Sequence, residues 1–94
     1  MEASAASAPL RLRPTDLHWR SVHGEVVALD LRTDLYLTLN RSGAVIWELL
    51  ARGTNRTELI ERLVGEYDVE PARAASDVER LLDELSAQRL LEGT

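Results

Sequence analysis

The sequence predicts an α+β fold of winged-helix-like plan, a three-stranded antiparallel sheet followed by three helices. Three observations carry that prediction. Between Leu17 and Leu39, three short apolar segments are separated by turn signals and alternate with the period of two that strands require. From Asn40 onward, the apolar residues recur at helical spacing in three runs. The two links between those runs are short and carry capping residues.

Each element follows from its residues. Residues 1–8 are small and polar, and "PLRLRP" at Pro9–Pro14 is extended because residues before Pro avoid the helical region. Residues 1–13 are therefore expected to form a disordered N-terminal tail, and residues 14–94 a single domain. Leu17 to Val22 reads as a first strand, His23-Gly24 as a two-residue turn, and Glu25 to Leu31 as the return strand. Arg32-Thr33-Asp34 is a second turn. Leu35 to Leu39 is a third strand, with Leu35, Leu37 and Leu39 on one face and Tyr36 and Thr38 on the other.

Asn40 is the expected N-cap of the first helix, whose spacing runs through Ala51, and Gly53 suits its C-terminal cap. Asn55 and Glu58 match a capping box for the second helix, with Leu59, Ile60, Leu63, Val64 and Tyr67 on one face. Pro71 suits the first turn of the third helix, where Ala74, Val78, Leu81, Leu82 and Leu85 form the apolar stripe. Leu90-Leu91 is expected to fold back onto the core.

Composition narrows the function. The chain has 94 residues, enough for one domain with a modest core. It has no Cys, which excludes disulfides and thiolate metal sites. The first residues lack the basic start and long apolar run of a signal peptide, and no stretch is long enough to span a bilayer. A cytoplasmic protein with no membrane partner is expected. The net charge is −5, and all eleven basic residues are Arg, a bias that reads as a GC-rich coding sequence rather than a site.

Catalytic chemistry is not apparent. The two histidines, His18 and His23, are five residues apart in the first hairpin and point to opposite faces unless the turn intervenes. Ser42-Gly43 lacks the glycine spacing and Lys of a phosphate loop and reads as the first turn of a helix. Asp77, Glu79, Asp83 and Glu84 read as a solvated helix face rather than an acid–base pair. Trp47 sits in an apolar run and reads as core; Trp19 fits core or surface. No enzyme activity, cofactor or metal is expected.

Charge separates two kinds of partner. In a winged-helix DNA regulator, the third helix would be the recognition helix. Residues 71–88 carry Arg73 and Arg80 against Asp77, Glu79, Asp83 and Glu84, a net of −2, and residues 56–67 carry a net of −1. Such faces repel a polyanion, so no nucleic-acid partner is expected. A peptide fits better. If Leu35 to Leu39 is an edge strand, its free backbone groups offer a ladder, and the space between strand and helix offers pockets. The plain alternative is that the N-terminal arm covers this edge.

A family resemblance sharpens the expectation. Tyr36-Leu37-Thr38-Leu39-Asn40, Ala44 through Leu50 with Trp47, Gly53-Thr54, Glu66-Tyr67-Asp68, Asp77-Val78 through Leu85, and Leu90-Leu91 together resemble the PqqD-like family. Its members are small leader-peptide-binding domains, also called RiPP precursor peptide recognition elements. The resemblance spans about residues 15–92. It implies three antiparallel strands and three helices, with a precursor's leader peptide added as a strand to the third strand in the cleft facing the third helix.

The chain is most similar to the stand-alone recognition protein of lasso-peptide pathways, which implies a separate leader peptidase as partner and leaders with a Tyr-x-x-Pro motif. The peptide chaperone of pyrroloquinoline quinone biosynthesis has a similar layout and hands its peptide to a radical enzyme. Carried onto this chain, the resemblance implies that the backbone of Leu35, Tyr36, Leu37, Thr38 and Leu39 pairs with the leader. Leu31, Leu35 and Leu37 with Ala74, Val78 and Leu81 would form an apolar pocket for a leader Tyr or Leu. Arg73, Asp77 and Arg80 would hold charged leader residues at its rim. For Val78 and Leu81, ordinary core packing stands as the alternative.

Overall fold

The computed structural model describes residues 8–92. The chain runs β1 (Leu17–Val22), β2 (Glu25–Asp30), β3 (Leu35–Leu39), α1 (Arg41–Arg52), α2 (Arg56–Tyr67) and α3 (Pro71–Ala87). The strands form one antiparallel meander in the order β1-β2-β3.

The β1–β2 turn is set by its two residues. Val22 pairs with Glu25, and both His23 and Gly24 adopt positive φ (52° and 81°). Two such residues in a row give the turn whose twist matches a hairpin. β2 ends at Asp30, one residue before the expected end at Leu31. The cause is the buried Asp30 carboxylate, which accepts Arg32 N at 2.9 Å and Thr33 Oγ1 at 3.0 Å and so turns the chain. Leu31 is consequently exposed, at 43%.

The register places Trp19, Ala28 and Leu37 across one another, and Trp19 lies on the inner face. There its ring meets Trp47 of α1 edge-to-face, with centroids 6.2 Å apart. Trp47 is wholly buried, at the centre of a core that includes Val26, Leu50, Leu59, Val78 and Leu90.

The helices begin and end where their caps dictate. Asn40 accepts Gly43 N, and Gly53 at φ 93° closes α1 with its N–H on Leu50 O. Asn55 accepts Glu58 N at 2.8 Å, half of the expected capping box. The Glu58 carboxylate takes the Thr54 hydroxyl, so the expected reach back is directed one residue further out. Asp68 at φ 51° ends α2. α3 starts on Pro71 and buries Ala74, Val78, Leu82 and Leu85. Arg89 at φ 59° then turns the chain so that Leu90 and Leu91 enter the core.

The expected N-terminal boundary needs correction. Residues 1–7 lie outside the described residues, but residues 10–13 are packed rather than a loose tail. Leu10 exchanges backbone bonds with Thr54, Leu12 N donates to Leu50 O, and Arg13 N donates to Leu90 O. Leu12 is in the core. Arg13 is held by the Asp30 carboxylate at 2.6 Å and by the carbonyls of Thr15, Asp16 and Arg89. No helix among the described residues is long and apolar enough to cross a membrane.

Candidate functional site

β3 lies at one edge of the sheet, and the Asn40 cap turns the chain into α1 before a fourth strand can form beside it. The only other bridges among the described residues, Leu10 to Thr54 and Leu12 to Leu91, tie the arm to the α1–α2 link and the C-terminal segment. The described part of the arm therefore leaves β3 uncovered. Alternate residues of an edge strand turn their N–H and C=O away from the sheet, and no described strand pairs with β3 on that side.

The start of β3 is fixed by the Asp30 turn. Thr33 Oγ1 donates to Asp30 and accepts Leu35 N at 3.3 Å. Burial raises the Asp30 carboxyl pKa. The Arg13 hydrogen bond, the Arg32 N–H, the Thr33 hydroxyl and the Arg13 charge outweigh it and hold the carboxyl below the ordinary value. The strand then alternates as expected: Leu35, Leu37 and Leu39 are half-buried, while Tyr36 and Thr38 face solvent.

An open groove of about 200 Å³ lies between the end of β3 with the first turn of α1 on one side and α3 on the other. Leu39, Ile46, Leu63 and Leu81 give it apolar walls. Asn40, Ser42, Gly43, Asp77, Arg80 and Glu84 surround them. A Cβ on Gly43 would stand 3.4 Å from the Leu39 side chain, so the first turn of α1 packs closely on the end of β3. At the rim, Asp77 accepts Arg80 Nη2 at 3.0 Å and lies 4.0 Å from Arg73 Nε.

The expected site residues separate into three groups. Leu39, Asp77, Arg80 and Leu81 meet at the groove, with Leu35, Leu37, Tyr36 and Thr38 along the same strand. Ala74 and Val78 are fully buried in the core, on the stripe of α3 beside the one that lines the groove. Leu31 sits in the β2–β3 turn and Arg73 at the exposed N-terminal end of α3; neither lines the groove.

Sequence reasoning passed over Asn40, Ser42, Gly43, Ile46, Leu63 and Glu84. The spacing of Asp77, Leu81 and Glu84 along one helical stripe was the signal that pointed to Glu84. Among the described residues, no three His, Asp or Glu side chains are grouped to hold a metal.

A small sheet whose edge strand β3 ends at a groove, backed by three helices, defines a class of domain suited to peptide addition. The family follows from the sequence: residues 25–91 match the family described as "Coenzyme PQQ synthesis protein D (PqqD)", and the chain belongs to it. Its fold, three antiparallel strands followed by three helices, matches two solved structures. The structure "TbiB1 in Complex with the TbiA(beta) Leader Peptide" superposes with a TM-score of 0.82 at 30% identity, covering 89% of this chain and 96% of that one. The structure "Lasso peptide synthetase B1 complexed with the leader peptide" gives 0.76 at 29% identity, covering 87% and 95%. Together with the family match, both support placing this chain among the PqqD-like recognition elements. No curated protein sequence matches this chain.

Proposed function

We propose that this protein binds the leader segment of a ribosomally made precursor peptide by adding it as a strand to the free edge of β3. In this reading it is not itself an enzyme; it presents the precursor to a separate leader peptidase in a lasso-peptide pathway. The observation that carries the reading is the uncovered β3 edge beside a groove with apolar walls. The leader peptides named in the two similar structures support it.

Energetics set what the groove must do. A short peptide loses conformational freedom on binding, and each new backbone hydrogen bond contributes only about 0.5–1.5 kcal/mol net. The ladder therefore needs at least one buried side-chain anchor. Leu39 and Leu81, the half-buried residues on the two sides of the groove, are the surfaces for it.

The test is a fluorescence-anisotropy titration with a labelled leader from the precursor encoded beside this gene, at two salt concentrations. Saturable binding that changes little with salt is expected. A steep loss with salt points to phosphate-type contacts instead. Absence of binding by the folded protein overturns the reading. The peptidase step is tested by adding the partner protease: leader cleavage should accelerate with this protein present and stay unchanged without it.

A further inference from the structure

We infer that Glu84 sets the charge preference of the groove: a Lys or Arg of the bound leader lies with its stem on Leu39 and Leu81 and its cation on the Glu84 carboxylate. The inference rests on the strand-addition reading above.

The argument starts from which charges at the groove are already met. Asp77 is shared between Arg80 at 3.0 Å and Arg73 at 4.0 Å. Glu79, on the neighbouring face of α3, pairs with Arg56 of α2. Glu84 lines the groove, is exposed, and its carboxylate makes no hydrogen bond or ion pair among the described residues. Among the residues that line the groove, Asp77 and Arg80 cancel and the Glu84 carboxylate is left; Arg73 stands outside the lining, on the far side of Asp77 from Leu81 along α3.

Its surroundings select the shape of the partner. Asp77, Leu81 and Glu84 follow one another at four- and three-residue spacing, so Leu81 lies between the paired and the unpaired acid on a single stripe. Leu39 closes the other side. A long basic side chain uses both parts, apolar stem on leucine and charged head at the lip. An apolar residue at that position leaves the charge unused, and an acidic one is repelled by it. Because Glu84 is solvent-exposed, the effect is on selectivity rather than on overall affinity.

The experiment uses the full chain and a labelled leader from the adjacent precursor. A peptide set replaces each leader residue in turn by Lys and by Glu. Wild type, Glu84→Gln and Glu84→Arg are titrated with the whole set at low and high salt, and circular dichroism checks that all three fold alike.

One leader position should favour Lys over Glu in the wild type by about fivefold at low salt, the size of an exposed ion pair. That preference should vanish in Glu84→Gln, invert in Glu84→Arg, and shrink with salt. Identical Lys-to-Glu preferences in all three proteins overturn the role of Glu84 while leaving strand addition standing. Failure of the wild type to bind any of the peptides overturns both.

Discussion

Replacing Asp30 by Ala should be among the most damaging single changes to a polar side chain in this protein. Asp30 is 1% exposed and its partner Arg13 has a side chain 8% exposed, with 2.6 Å between them. Removing one member of a buried ion pair leaves an unpaired charge, at a cost of about 3–5 kcal/mol. The same substitution also strands Arg32 N and the Thr33 hydroxyl, which fix the start of β3. Against a typical stability of about 5–15 kcal/mol, that is a large fraction.

For a domain of this size the melting temperature should fall by roughly 12 °C or more, read by thermal and urea unfolding. The pH dependence gives a second readout. The Asp30 pKa is depressed in the folded state, so the unfolded chain binds more protons over the window below 3.8. Its contribution is present above that value and is lost as pH falls through the folded pKa. In Asp30→Asn this part of the acid destabilisation should be missing. A melting temperature within about 3 °C of wild type for Asp30→Ala would refute the idea that this pair clamps the arm to the sheet.

Substitutions on α3 should separate groove from core. Leu81→Asp should leave a folded protein with leader binding reduced at least about tenfold, Val78→Asp should unfold it, and Glu79→Ala should change binding little; anisotropy and circular dichroism together read all three. Asn55→Ala should cost about 1 kcal/mol in urea unfolding through loss of the α2 cap, with leader affinity unchanged because Asn55 does not line the groove. Trp19→Ala should destabilise by more than the roughly 0.5–1.5 kcal/mol of the ring pair alone, since Trp19 also covers Trp47.

Much of this fold was legible because its signals are local. The His23-Gly24 turn, the alternation from Leu35 to Leu39, and the Asn40 and Asn55 caps each act within a few residues of themselves. The arm was not legible for the opposite reason. Leu12 and Arg13 have no periodic neighbours, and their burial depends on Leu50, Asp30 and the segment from Arg89 to Leu91, far along the chain.

The groove falls between these cases. Periodicity finds the apolar stripe of α3 but not which flank of it meets the opening. Ala74 and Val78 turn into the core while Asp77, Leu81 and Glu84, on the adjacent stripe, line the groove. Glu84 in particular looked like one more charge on a solvated face, because its significance comes from Asp77 being satisfied and Glu84 not.

The most direct test of strand addition is amide hydrogen exchange, residue by residue, with and without saturating leader peptide. Alternate amides within Leu35 to Leu39 should become strongly protected, while the outer edge of β1 stays unchanged. Saturable binding with no new protection in β3, or with protection along β1 instead, would contradict the account.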